Sequence, residues 1–164
     1  MRGLIFKCKY TSVWGCFGEP SGMSISVYGG GSVVYARYVL GQEKPVSREV
    51  IASDRAIAEK LLQILDARKD DIAKIPEELV NHSCDGSRDE FRFGSKKIGG
   101  YNIHGANIDI EEELKTHPFR YELRKGEMER LKEIFFENLV LDIYDEIKKI
   151  LEEFNLGIEL PTFR

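Results

Sequence analysis

The sequence lacks any long apolar run. No stretch of its 164 residues approaches the ~20 consecutive apolar residues of a membrane-spanning helix. Before residue 10, the chain has only Leu4, Ile5 and Phe6 between charged side chains, which is too short for the apolar region of a signal peptide. We therefore expect a cytoplasmic protein that does not contact a membrane.

The chain is also poor in cysteine and histidine, with three of each. An odd number of cysteines without an export signal favours free, reduced thiols. The sequence offers four candidate ligands for a zinc ion, namely Cys8, Cys16, His82 and Cys84. Their spacing does not match a zinc knuckle, since seven residues separate the first pair and one separates the second. We expect no metal and no cofactor.

Several motifs of enzymes are missing as well. The chain contains no Gly-x-Ser-x-Gly and no Cys-x-x-Cys. The glycine-rich stretch 29–32 lacks the lysine of a phosphate-binding loop and precedes a strand rather than a helix. These absences favour a non-enzymatic protein.

A large excess of positive charge is missing from every part of the chain. Residues 1–50 carry six Lys and Arg against three acids, and residues 111–164 carry nine against fourteen. The small basic excess argues against a nucleic-acid-binding protein with a broad basic face. The acidic last third suits a basic protein partner instead, as in an immunity-type inhibitor that neutralises a toxin.

Alternating apolar and polar residues predict an antiparallel sheet. A glycine cluster at residues 29–31 and a Gly94-Ser95 pair supply the turns of two β-hairpins. The return strand of the first hairpin carries bulky residues on both faces, which indicates an interior strand. Residues 79–88 are predicted as a loop. The predicted strands cover residues 4–10, 23–28, 33–40, 46–51, 90–93 and 97–103.

Apolar residues at helical spacing predict two main helices. Ser53 and Asp54 form the start of the first, and Pro76 ends it. A stripe from Met128 to Phe154 predicts the second, and the pattern leaves open whether this helix is continuous or broken near Asn138. A short acidic helix is predicted over residues 108–117, and a short tail strand over residues 158–160.

The predicted fold class is therefore α+β, in a single domain that covers residues 1–164. Two β-hairpins and an N-terminal strand form an antiparallel sheet, and the two main helices pack mostly on one face. The other face stays partly open. We expect Tyr28, Tyr35 and Arg37 to lie on that open face and to contribute to binding.

The loop over residues 11–22 holds two large aromatic residues, Trp14 and Phe17. Such residues either pack under the sheet and extend the core, which is the commoner outcome in compact domains, or remain exposed and contact a partner. With the aromatic residues of the sheet, they favour a non-enzymatic binding module for a protein partner. Neither the sequence nor its composition predicts an oligomeric state.

The main alternative is a small enzyme with a Cys–His site. Cys84 would act as the nucleophile, His82, His104 or His117 as the base, and Asp85 or Asp89 as the group that orients the imidazole. Nothing in the spacing requires these residues to meet, because Asp85-Gly86-Ser87 also suits an ordinary turn.

Three stretches carry a resemblance to known sequences. They are the Ser26–Tyr35 hairpin with its Gly-Gly-Gly-Ser turn, the Phe91–Ile98 hairpin, and the Leu141–Ile147 helix. Together they are similar to an uncharacterised family of small soluble bacterial proteins, over residues 23–151. The resemblance implies no activity and no catalytic residue.

Overall fold

A computed structural model describes residues 3–12, 14–79, 86–103 and 125–163. Within the last range, residues 125–128 and 130 are described by their backbone only. The predicted helix over residues 108–117 falls outside these ranges. So do His82, Cys84, Asp85, His104 and His117 of the enzyme hypothesis, whereas its alternative orienting residue Asp89 is described.

One mixed sheet forms the centre of the molecule. Its strands are β1 (Leu4–Ser12), β2 (Pro20–Tyr28), β3 (Ser32–Val39), β4 (Ser47–Ser53), β5 (Glu78–Leu79), β6 (Ser87–Phe93) and β7 (Lys96–Tyr101). They lie in the order β4-β3-β2-β1-β6-β7-β5, and only the β5–β7 pair among the described strands is parallel. The described helices are α1 (Arg55–Ala67), α2 (Lys69–Lys74) and α3 (Lys125–Glu153).

The α+β class and the predominantly antiparallel sheet are therefore confirmed. The sheet is larger than predicted, because β5 occupies part of a segment expected to be a loop. A strand of two residues shows no alternation, so the pattern could not reveal it. Residues 158–160 form no strand, and the helical segment before Pro76 divides into α1 and α2 rather than forming one helix.

Helix α3 is continuous through Asn138, where the apolar pattern left open a break. Val140, Leu141 and Tyr144 are all buried. A helix that buries a broad face tolerates apolar residues outside a narrow stripe, so the phase change near Asn138 reflects that wider contact. The helix ends as expected, since Asn155 and Gly157 adopt φ values of +47° and +70°.

The first turn of α1 packs against the turn between β2 and β3. The Asp54 side chain caps the helix by accepting a 2.9 Å hydrogen bond from the Ala56 N–H. The Asp54 N–H donates to the Gly31 carbonyl over 3.2 Å. Gly31 has a φ of +91°, and a Cβ there would overlap the Asp54 carbonyl. Glycine at this position lets sheet and helix approach closely.

The core lies between one sheet face and helices α1 and α3. Register pairs Phe6 of β1 with Val27 of β2 and with Phe93 of β6, so these side chains share the helix-covered face. Phe6, Phe91, Phe93, Tyr144 and Phe163 form a network of ring contacts. Among the helices that the structure describes, none has the length and apolar character needed to cross a membrane.

Candidate functional site

The loop between β1 and β2 presents two aromatic side chains to solvent. Trp14 is 63% exposed and Phe17 is 88% exposed. The sequence left open whether these rings extend the core, and the structure shows that they do not. A Cβ at Gly41 would overlap the Phe17 ring, so the ring lies against the backbone of the β3–β4 connection and projects outward.

Hydrogen bonds hold the backbone of this loop. The Gly18 N–H donates to the Leu40 carbonyl over 3.1 Å, and the Leu40 N–H donates to the Glu19 carbonyl over 2.9 Å. The Glu19 carboxylate also accepts from the Cys16 N–H over 3.0 Å. The loop backbone is therefore tied to the end of the β2–β3 ladder.

The three other predicted binding residues do not share one open face. Tyr28 lies on the face away from the helices, where its hydroxyl accepts a 2.7 Å hydrogen bond from Arg48. Tyr35 and Arg37 lie on the other face, because register pairs Val27 with Val33 and Ile25 with Tyr35. Tyr35 packs against the core, and Arg37 is exposed at its edge. The prediction of a common face is wrong because the hairpin register places Tyr35 and Arg37 beside the apolar residues of β2, on the face opposite Tyr28.

The face away from the helices carries a cleft of about 600 Å³ over β1, β6, β7 and the start of β5. Its charged lining residues are the cations Lys7, Arg88, Arg92 and Lys97 and the acids Glu77, Glu78 and Glu90. No pattern in the sequence identified this site. Alternation places each cation on a polar row, but only the β1–β6–β7 strand order makes three of them neighbours.

One wall of the cleft is an ion pair between Arg88 and Glu78. Both guanidinium terminal nitrogens donate to the carboxylate, one of them over 3.0 Å. The guanidinium lies 5.0 Å from the centroid of the Tyr101 ring, and a Cβ on Gly99 would crowd it. The hydrogen bond from Arg88 lowers the pKa of the Glu78 carboxyl. The Glu78 carboxylate and the Tyr101 ring together hold the Arg88 guanidinium at the wall of the cleft.

A buried carboxyl lies on the opposite face of β6. The Asp89 side chain is fully buried, and its Oδ2 accepts a 2.8 Å hydrogen bond from the Ile103 N–H. Its Oδ1 has no hydrogen-bond partner in the part of the chain that the structure describes. Burial raises the pKa of Asp89, and the Glu137 carboxylate, which is also buried, adds to the rise.

The cysteines that the structure describes lie in different environments. Cys8 is buried in β1, where desolvation first and the charge of Asp89 second raise its thiol pKa. Cys16 is exposed in the aromatic loop. Within residues 3–12, 14–79, 86–103 and 125–163, no three His, Cys, Asp or Glu side chains lie close enough to hold a metal ion.

Comparison with known proteins adds no family. No protein-family model matches the chain, and no curated protein matches it. The similarity to a bacterial family therefore stays a prediction. Function must be inferred from the two surfaces described above, the exposed aromatic loop and the charged cleft.

Proposed function

We propose that the protein is a binding module for a protein partner, and that the partner contacts an aromatic end surface formed by Trp14, Phe17 and Leu40. The observation that carries this proposal is the exposure of both rings on a hydrogen-bonded loop. Tryptophan is enriched among the residues that dominate binding energy at protein interfaces. A loop whose backbone is already ordered loses less entropy on binding.

The two rings supply a substantial part of the binding energy but not all of it. An aromatic side chain that buries ~200 Å² gains about 5 kcal/mol at ~25 cal/mol per Å². Association costs about 4–15 kcal/mol before any surplus appears as affinity. The partner must therefore also contact the surface around the rings.

A photo-crosslinking residue at position 17 tests the proposal directly. In an extract of the cells that make the protein, we expect one protein to be linked to position 17. A second crosslinker at Leu62 is the matched control, because Leu62 is also exposed but lies on α1. Trp14→Ala should reduce the yield at position 17 by about tenfold or more, as expected for a central interface residue.

Three outcomes of this experiment would contradict the proposal. The first is an identical set of adducts at positions 17 and 62, which would indicate random collisions. The second is an unchanged yield at position 17 in Trp14→Ala. The third is an adduct with a second copy of this chain, which would show that the surface serves self-association and not the binding of a different protein.

The alternative hypotheses have their own measurements. An activated Cys84 would react with thiol reagents at pH 6, where an ordinary thiol is almost fully protonated. An inhibitor that binds a basic toxin through its acidic last third would lose affinity steeply as salt is raised. No contact of the described residues favours either alternative over binding through the aromatic end surface.

A further inference from the structure

Three cations lie side by side on the sheet face away from the helices. Register pairs Lys7 of β1 with Arg92 of β6, and Arg92 with Lys97 of β7. Side chains at directly opposite positions have Cβ atoms roughly 4.5–5.5 Å apart, and like charges there destabilise a sheet. We call Lys7, Arg92 and Lys97 the cationic row.

No described acid forms an ion pair with a member of the cationic row, although Glu77, Glu78 and Glu90 line the same cleft. Arg92 uses its Nε to donate to the Gly94 carbonyl over 2.8 Å. Lys7 and Lys97 make no ion pair or hydrogen bond through their side chains with any described residue. Glu90 lies in the next row, opposite Lys9, and Glu78 is held by Arg88.

We infer that the cationic row binds a small molecule through a phosphate group. The row lines a cleft of about 600 Å³, which is within the roughly 300–1,000 Å³ typical of small-molecule sites. A phosphate monoester carries about −1.5 to −2 charges at neutral pH, so it can satisfy more than one cation. The cationic row places like charges opposite one another, and positions where a sequence breaks such a stability rule are often functional.

The arginine and the two lysines of the row have different roles in this site. The Arg92 guanidinium keeps its terminal nitrogens for the phosphate oxygens, because Gly94 engages only Nε. Lys7 and Lys97 flank it and act as point charges. The Arg88–Glu78 pair forms a fixed wall beside the row. The organic part of the ligand would extend into the remainder of the cleft.

Calorimetric titration of the full chain with phenyl phosphate tests this inference, and benzoate is the comparison ligand because it carries the same ring on a carboxylate. Sodium chloride keeps the ionic strength equal. We expect saturable binding of phenyl phosphate that Arg92→Gln and Lys97→Gln each weaken by about tenfold or more. Lys96→Gln is the matched control, since Lys96 is the neighbouring residue on the other face of β7.

The control separates a site from general charge attraction. We expect Lys96→Gln to change the affinity by less than about twofold, as for a charge screened from the ligand. Equal weakening by Lys96→Gln and Lys97→Gln would overturn the inference. Equal affinity for benzoate, or the absence of saturable binding by folded protein, would overturn it as well. Thermal melting establishes folding, and Arg92→Gln provides a second variant if Lys97→Gln does not fold.

The aromatic end surface provides a further check. Trp14→Ala removes a ring from that surface without touching the cleft, so it should leave phenyl phosphate binding unchanged. This result would show that the phosphate site is independent of the proposed protein-binding surface. A loss of phosphate binding in Trp14→Ala would contradict the location of the site on β1, β6 and β7.

Discussion

Asp89 shows how one residue can reduce the stability of a fold. It is fully buried and its pKa is raised, first by desolvation. At pH values above the folded-state pKa, the carboxyl is charged in both the folded and the unfolded chain. A raised folded-state pKa then lowers the free energy of unfolding, because the charge is less stable in the folded protein. This destabilisation decreases as pH falls through the folded-state pKa towards the ordinary aspartate value of 3.8. The reason is that the folded chain takes up a proton at a higher pH than the unfolded chain does.

We expect Asp89→Asn to be more stable relative to the native chain at pH 7 than at pH 4. An amide keeps an oxygen for the Ile103 N–H but removes the buried charge. Asp89→Ala leaves that buried N–H unpaired, so it should be about 1–3 kcal/mol less stable than Asp89→Asn. Urea unfolding at several pH values measures both differences.

The exposed Asp70 supplies the control for this comparison, since Asp70→Asn removes the same charge from the surface of α2. Parallel stability curves for the native chain and Asp89→Asn across the pH range would contradict the interpretation. The buried carboxyl would then have the same proton affinity in the folded and unfolded chains.

At the scale of the elements, the close approach between the β2–β3 turn and α1 depends on glycine. Gly31 has a positive φ and no space for a Cβ, whereas a Cβ added to the neighbouring Gly30 would meet no atom within 4 Å. The two residues are adjacent and differ in their surroundings. The turn therefore offers a matched pair of substitutions.

Gly31→Ala should lower the free energy of unfolding by about 1–3 kcal/mol, because the new Cβ meets the Asp54 carbonyl in a strained backbone conformation. Gly30→Ala should change it by less than about 0.5 kcal/mol. Denaturant unfolding of both variants provides the measurement. Equal effects would show that the turn and α1 are not held together closely.

The sequence predicts those elements whose own residues show a period. Alternation locates β1 to β4 and β6 to β7, and the short oxygen-bearing side chain of Asp54 locates the start of α1. β5 has no such signal, because its two residues form a strand only by pairing with β7, which lies about 20 residues later in the chain. The sequence could not decide whether α3 is continuous at Asn138, because the width of its buried face depends on what packs against it.

The candidate surfaces are predictable to different degrees. The sequence identifies Trp14 and Phe17, but their exposure depends on how the loop joins the β2–β3 ladder. It could not reveal the cationic row, because Lys7 and Lys97 become neighbours of Arg92 only through strand order. Residues that act together through long-range pairing leave no local signal in a single sequence.

At the scale of the whole molecule, Cys8 reports on global unfolding and Cys16 does not. Cys8 is buried in β1, the middle strand of the sheet, whereas Cys16 is exposed in the aromatic loop. Iodoacetamide should therefore label Cys16 at once and Cys8 slower by about 1,000-fold or more, since Cys8 must wait for unfolding. Peptide mass spectrometry distinguishes the two from Cys84.

Denaturant below the unfolding midpoint sharpens this experiment. It should accelerate the labelling of Cys8 and leave that of Cys16 nearly unchanged, because only the first reaction depends on the unfolding equilibrium. Labelling of Cys8 as fast as that of Cys16 would show that β1 opens locally. The central strand would then be less stable than its position in the sheet implies.

The position of β1 also affects the order in which the protein can fold. β1 precedes the other strands in the chain, yet it completes its pairing only when Phe6 meets Phe93 of β6. The β2–β3–β4 meander closes short loops, whereas the β1–β6 ladder must close a long one at a greater entropic cost. During synthesis, the edge of β1 that faces β6 stays unpaired until β6 has left the ribosome, and that interval is when a chaperone has most to protect.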